Sequence, residues 1–588
     1  MAGNERLTEF EVLYELVDLG AADDASYSAT HQKSFSNLPL LSTIVPFEDY
    51  ITLEHNYSVM DGTMPEFPNT IPNTIPYWSQ YESNMEGKWT EDKTPTIDIT
   101  FDDLHSSVAL TLMVPNPDVV MAKITWYRYD VILAEGNYPI NANGVCGEPV
   151  VDYNRIHIEF SLTVPDRYVK LFGIYYGVKL NWDETTVKTA NMVKEIDIIS
   201  TKLPVDTLSF ELVDITFGDL NLGNPQGIHR FFQRNQPMYA YEWLNDTQMS
   251  IGKFFLKTYE HKDNVGKFSC VSYIDKMDNI AFNTGRLYDG ILAGELIKEV
   301  FDTVGITNYE IDNETYNQKL YGTLKPQSCR SALREILFAC QSVADTSNPD
   351  KVYIRKISNT IASTISRHIK FNTSVKQLEY VSGVHVEYLS FKKVNEETPI
   401  TEETLYEAGD HIVVFDGPYD TVNFSTLSGI SNIQKSTYFV KFHAGRDVTL
   451  TLTGQGYIET ANSVDRNKEL EAGRFLNVKK FVSTLSNYQN AKRIADILLA
   501  YYSLDMEISI KALAMDTDME HRYIVENDTP KYNDYIGAYS QRTFDLTGGF
   551  VHNSKLSMTF LTDANKSYFA REAGLEEIFL DQEETAII

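Results

Sequence analysis

Apolar and polar residues alternate with a period of two along much of this chain, the mark of strands that bury one face. The pattern is clearest at residues 96–101, where Ile97, Ile99 and Phe101 share a phase, and at 155–162, where Ile156, Ile158, Phe160 and Leu162 do. Similar runs cover 108–114, 123–127 and 170–177, separated by Pro and Gly turns. Short strands at this spacing predict a β-sandwich, placed at residues 1–195. Pro65, Pro68, Pro72 and Pro76 interrupt it and predict a loop or an edge segment there.

Past residue 195 the period changes. Strand-like runs at 208–214, 237–243, 251–256 and 268–275 give way to a helical stripe. Leu292, Leu296, Val300 and Val304 recur every four residues, widened by Ile297 and Phe301, which predicts a helix over 290–304. A second helix begins near Ser328 as N-cap and buries Leu333, Ile336, Leu337 and Cys340; a strand follows at 351–356. Two helices among strands predict an α+β unit over 196–365. Strands return over 366–565, at 380–388, 411–415, 448–453 and 457–460, the last two joined by Gly454-Gln455-Gly456 as a hairpin candidate. A third helix is predicted over 487–502, with Ala491, Ile494, Ala495, Leu498 and Tyr502 on one face, before strands at 506–510, 537–540 and 555–560. Residues 566–588 form an acidic tail ending in Ile587-Ile588, read as a frayed or partner-docked peptide. The expected fold class is mainly β with α+β parts.

Composition sharpens this. A chain of 588 residues accommodates about three to five domains. Its 36 Tyr and 30 Phe suit pleated, half-buried surfaces and extended interfaces. With 51 Lys and Arg against 82 Asp and Glu, the net charge is -31, a field that repels phosphate backbones. Sequence-specific nucleic-acid binding is therefore not expected. A ring of such subunits would let DNA slide without sticking; the plainer reading is that acidity keeps an aromatic-rich surface soluble. Cys146, Cys270, Cys329 and Cys340 read as reduced structural thiols, since Cys329 and Cys340 fall about three turns apart on one helix and cannot bridge. The N-terminal residues lack a secretory pattern and no run is apolar enough to span a bilayer, so synthesis in the cytoplasm is expected.

Motifs for catalysis are missing from the sequence. There is no His-Glu-x-x-His, Cys-x-x-Cys, Gly-x-Ser-x-Gly or phosphate-cradling Gly-Lys-Ser/Thr pattern, so no enzyme activity, catalytic residue, metal or cofactor is expected. Adjacent acids such as Asp23-Asp24, Asp102-Asp103, Glu396-Glu397 and Glu402-Glu403 read as solvated faces. Asp23, Glu54 and Asp61 are an alternative calcium set without the spacing of a dedicated loop. Trp78 and Trp89 flank a loop-rich part of the sandwich, where they could either stack on sugar rings or pack in the core.

The order of elements from Leu203 to Asp345 is distinctive. It runs from the Leu208–Leu212 alternation through the loop Gly223-Asn224-Pro225-Gln226-Gly227, the polar-aromatic pair 237–243 and 251–256, and then the two helices. This order resembles the central hub of bacteriophage tails and related injection machines, including tail-associated proteins of long-tailed phages and baseplate hubs of contractile tails. The resemblance covers residues 200–565. It implies hub-type β-barrels repeated about a threefold axis, hence a homotrimer that lines a channel for DNA or effectors. The implied partners are a distal tail or tube protein and tape-measure end on one side, and a spike or fibre on the other. The implied location is the tail tip or baseplate of a virion assembled in the bacterial cytoplasm; lysin or fibre function is expected on another polypeptide. Tyr57-Ser58-Val59-Met60-Asp61-Gly62, Tyr77-Trp78-Ser79 and Val169–Ile174 resemble the discoidin or galactose-binding jelly roll, which implies host surface glycan as a ligand with Trp78 and Trp89 as candidates. The alternative function is a carbohydrate-binding surface or receptor-binding protein using that sandwich.

Overall fold

The computed structural model describes residues 7–43, 45, 50–66, 75–213, 220–346, 351–356, 361–470, 473–514, 516–519 and 521–561. Pro68, Pro72 and the acidic tail 566–588 lie outside the described residues. The architecture is mainly β, with α+β parts.

A 13-stranded sheet forms the centre. Its main path runs Gly177–Trp182, Thr8–Val17, Pro237–Leu244, Thr247–Lys262, Val265–Val271, Thr207–Val213, Val187–Glu195, Tyr535–Asp545, Val551–Phe560, Met506–Leu513 and Lys370–Gln377. Arg522–Val525 branches from Tyr535–Asp545 and pairs in parallel with Ile361–Ile365. Strand alternation builds the sheet's core: Phe10, Val12, Tyr14 and Leu16 point inward, while Glu9, Glu11 and Glu15 lie on the opposite face. Phe210 and Phe268 stack within that core at 4.9 Å. The path is open. Among the described residues, the strands from the two regions expected to form hub-type barrels make one continuous sheet with an edge at each end.

Residues 18–176 are an insertion between two strands of this sheet that pair directly, Val17 opposite Gly177. Thr8–Val17 therefore belongs to the large sheet, although it lies within the segment read as sandwich. The chain re-enters tightly: Gly177 has φ +154, and a Cβ there would lie 2.1 Å from the Leu16 carbonyl oxygen. The inserted body is a sandwich. Its larger sheet orders Ser26–Thr30, Thr96–Ser107, Val150–Leu162, Met121–Arg128 and Val131–Pro139. Short strand groups, including Leu110–Leu112 with Ile174–Tyr175 and Tyr77–Trp78 with Lys170–Leu171, cover its inner face. Ile97, Trp126, Tyr153, Phe160 and Leu171 meet in one core.

The amphipathic segments fold as helices Ala293–Val304, Cys329–Cys340 and Tyr488–Tyr501. The first ends at Gly305 in the left-handed region; the second is capped by Ser328 Oγ, which accepts from the Ser331 amide at 3.2 Å. Leu296, Ile297, Val300, Leu333 and Ile336 pack together, each contributing about 1.5–3 kcal/mol of burial. The third helix lays Ala491, Ile494, Ala495 and Leu498 against Val384, Val386 and Val464 of the antiparallel strands Gly383–Lys393 and Leu452–Asn467. Those strands carry a second inserted body, cored by Phe415, Val422, Val440, Phe442 and Leu450. Leu452–Asn467 runs straight through Gly454-Gln455-Gly456, where the sequence suggests a hairpin. The glycine serves close approach instead: a Cβ on Gly454 would lie 2.1 Å from the Thr421 carbonyl oxygen of the paired strand.

Candidate assembly surfaces

The large sheet presents a polar face whose charged side chains find partners on neighbouring strands. Lys179 meets Glu15 at 2.9 Å and Lys188 meets Glu211 at 3.6 Å. Trp243 Nε1 donates to Glu11 at 2.7 Å, Gln541 donates to Glu195 at 2.6 Å, and Lys253 lies 4.7 Å above the Tyr239 ring. Glu15 and Glu211 are thus balanced by lysines, whereas Glu11 and Glu195 keep their charge and are held by neutral donors. Among the described residues, neither end strand of the sheet has a second strand partner, so each is an edge open to strand addition. The Lys370–Gln377 edge exposes Phe371 (43 %) and Val375 (48 %) and is bulged between Phe371 and Ser374, with Asn372 at φ 55.

The middle of the sheet is a charged seam. Lys194 and Arg542 sit opposite each other on paired strands, and both are buried. Two like charges in that position repel, and oxygen atoms of the 516–518 loop offset this. Lys194 donates to the Thr517 carbonyl at 3.0 Å; Arg542 donates to Asp516 Oδ1 at 3.0 Å and to the Asp518 carbonyl at 2.8 Å. Tyr539 and Phe544 stack on the guanidinium at 4.6 and 4.7 Å. Burial, reinforced by Arg542, pushes His552 down to about 3. Loss of solvent raises the Asp206 carboxyl against the pull of Lys194, while its oxygens accept from the Glu195 amide and Thr346 Oγ1. Thr346 follows the short strand Val343–Asp345 of the α+β unit, so the seam ties that unit to the join between the two halves of the sheet.

A second cluster holds the neck of the sandwich. His105 is buried between Asp18, 3.2 Å from its Nδ1, and Asp24, 2.9 Å from its Nε2. Asp18 directly follows the strand Thr8–Val17, so the contact fixes the angle at which the insertion leaves the sheet. The amide of Asp103 and the side chain of His105 hold the Asp24 carboxyl below its ordinary value.

No protein-family model matches this chain, and no curated protein matches its sequence. Among solved structures it is similar to a tail protein from Neisseria meningitidis MC58, with 10% identity over 64% of this chain and 93% of that one, at a TM-score of 0.39. It is also similar to a 43 kDa tail protein of prophage MuSo2 from Shewanella oneidensis, with 7% identity, 64% and 95% coverage and a TM-score of 0.37. A third is prophage tail protein gp18 from Listeria monocytogenes EGD-e, with 8% identity, 67% and 96% coverage and a TM-score of 0.38.

The two tryptophans nominated for glycan lie in different surroundings. Trp78 is 2 % exposed; Lys170 Nζ lies 4.4 Å above its ring, with Phe35 at 5.6 Å and Tyr168 at 6.4 Å. A ring so enclosed has no open face for a sugar. Trp89 is half-buried against the sandwich core and donates from Nε1 to the Tyr81 carbonyl at 3.1 Å. Glu54 pairs with Lys170 at 3.4 Å and Asp61 accepts from the Thr63 amide at 2.9 Å, whereas Asp23 is exposed. Among the described residues, no three His, Cys, Asp or Glu side chains are grouped to hold a metal ion, and no helix is long and apolar enough to cross a membrane. Sequence reasoning passed over Lys194 and Arg542. The available signal was a cation in the apolar phase of a strand, Lys194 after Ala190 and Met192, and Arg542 before Phe544.

Proposed function

We propose that this chain is a structural subunit of a phage tail or phage-derived injection particle, a hub at the tail tip whose work is assembly and not catalysis. The observation that carries this reading is the open sheet, which gathers strands from Thr8 to Phe560 and leaves an edge at each end. An edge at Gly177–Trp182 meeting the Lys370–Gln377 edge of a neighbouring copy is a head-to-tail interface, and such interfaces close into rings. Three copies would then present three repeats of the two half-sheets joined at the Lys194–Arg542 seam. The face suits the lining of a channel, because Glu15 and Glu211 balance Lys179 and Lys188 while Glu11 and Glu195 keep a charge that repels a phosphate backbone. The distal tail or tube protein and the tape-measure end would dock on one side, and a spike or fibre on the other. The sandwich, carried out from the sheet on its Asp18–His105–Asp24 neck, would reach a neighbouring tail protein. The particle location and assembly in the bacterial cytoplasm belong to the same reading.

Light scattering and negative-stain imaging of the purified chain test it. Three chains of 67.0 kDa give a ring of about 200 kDa with a central hole. Replacing Phe371 and Val375 together by Asp should return the ring to monomers while leaving the far-ultraviolet circular dichroism unchanged. A chain that stays monomeric when mixed with its tube protein, or a ring indifferent to that double substitution, would sink the proposal.

A further inference from the structure

The second inserted body does not lie flush on the α+β unit. Between them is a cleft of about 730 Å³, walled by the loop Asn283–Arg286 and Glu299 on one side and by Tyr419–Asn423 and Gln434–Lys441 on the other. Hydrogen bonds join the two bodies beside it. Ser436 Oγ donates to the Gly285 carbonyl at 2.6 Å, and Thr323 Oγ1 donates to the buried hydroxyl of Tyr438 at 2.8 Å. Preformed clefts at the junction of two bodies are the usual place for a ligand.

The charges of this cleft are not those of the whole chain. Its two carboxylates are already neutralised: Glu299 by Arg286 at 2.5 Å, and Asp420 by Lys393 at 2.5 Å with Tyr457 Oη donating at 3.0 Å. Two ammonium groups have no carboxylate among the described residues. Lys435 donates only to the Val422 carbonyl, and Lys441 lies 5.5 Å from the Phe439 ring centre. In a protein with 82 acids and 51 Lys and Arg, a cleft with cations to spare selects an anion. Its size and its amide and hydroxyl walls suit an extended peptide better than a small ion.

The chain supplies such a peptide. Beyond Leu561, the segment Glu576-Glu577-Ile578-Phe579-Leu580-Asp581-Gln582-Glu583-Glu584 sets five carboxylates around an apolar trio. Reach allows the contact. Leu561 and Tyr501 pack on the same pair, Leu504 and Ile536; Tyr501 ends the helix Tyr488–Tyr501, whose other end bonds through Asn490 to the Lys319 carbonyl. The strand Lys319–Thr323 then leads to Thr323, whose Oγ1 lies 3.2 Å from the carbonyl oxygen of the cleft residue Arg286, so helix, strand and the links between them put the distance at about 45 Å. The stretch from Leu561 to Glu576 extends to about 50 Å. We infer that the acidic segment 576–584 docks in the cleft of its own chain, its carboxylates on Lys435 and Lys441.

Zero-length carbodiimide cross-linking of the full-length chain, read by mass spectrometry, tests this. Amide links should join Lys435 or Lys441 to Glu576, Glu577, Asp581, Glu583 or Glu584. In a Lys441→Gln chain the links from Lys435 should fall by about threefold to fivefold, as expected when one of two solvent-exposed pairs is lost. An equal mixture of unlabelled and nitrogen-15-labelled chains should give no mixed-isotope links. Tail carboxylates linked only to other lysines, or mixed-isotope links at the level of single-isotope ones, would overturn docking within the chain.

Discussion

Lys170→Met is the most exacting probe of the energetics, because the ion pair it breaks is almost sealed from water. The side chains of Lys170 and Glu54 are 2% and 0% exposed, with Nζ 3.4 Å from Oε2. At an effective dielectric constant of about 20, a pair at that distance attracts by roughly 5 kcal/mol. Removing the lysine also removes the cost of burying it, but among the described residues Glu54 then keeps the Tyr168 amide at 2.9 Å and Thr52 Oγ1 at 2.5 Å as its donors. The net expected loss is about 3–5 kcal/mol. It falls on the sandwich, where Lys170 also lies over the rings of Tyr57 and Trp78 at 4.5 and 4.4 Å. Hydrogen exchange resolves that locality. Amides of residues 52–58, 77–79 and 167–171 should exchange roughly 10²- to 4 × 10³-fold faster, with the helix Cys329–Cys340 unchanged. Glu54→Gln added to Lys170→Met should restore most of the protection, since no uncompensated charge remains. A single substitution that raises exchange by less than about fivefold, or a double as damaging as the single, would refute the reasoning.

Gly177→Val should cost about 2–4 kcal/mol and loosen the junction between sheet and sandwich, since its side chain would begin 2.1 Å from the Leu16 carbonyl oxygen; thermal unfolding measures it. His552 makes stability fall in acid. Its folded-state value of about 3 lies below the ordinary 6.5, so the unfolded chain takes up a proton that the folded chain refuses as pH falls from 6.5 towards 3. The contribution, present in full above pH 6.5, is up to about 5 kcal/mol. Urea unfolding of His552→Asn at pH 7 and pH 4.5 should show a shallower loss than the parent chain. His105→Ala should leave Asp18 and Asp24 facing each other without the imidazole that bridges them, cost about 1–3 kcal/mol, and expose residues 17–25 to limited proteolysis.

Much of the local structure was legible because it rests on short-range rules. The helix Ala293–Val304 follows from the four-residue spacing of Leu296, Val300 and Val304, and Cys329–Cys340 from its Ser328 cap. Strands such as Thr96–Ser107 and Val150–Leu162 follow from alternation alone. The glycines misled where their use is tertiary. Gly454 accommodates the approach of Thr421 and does not make a turn, and nothing within a few residues of it distinguishes the two roles. Trp78 and Trp89 sat in sequence beside loops, yet what surrounds Trp78 is Lys170 from a strand some ninety residues away.

The sequence by itself determined the elements, the β-rich class and a strongly acidic, aromatic-rich composition, because period, capping and charge are written residue by residue. Only the tertiary structure decided which strands are neighbours. Alternation says that Thr8–Val17 has one buried face; it does not say that its partners are Gly177–Trp182 and Pro237–Leu244. The physical reason is that strand pairing is satisfied by the same backbone groups whatever the sequence distance. An insertion of the size of residues 18–176 therefore leaves no mark on the pattern of the strands it separates, and loop closure adds only slowly to its cost. The same holds for the Lys194–Arg542 seam and the Asp18–His105–Asp24 neck, charges that acquire meaning only when distant strands bring them together.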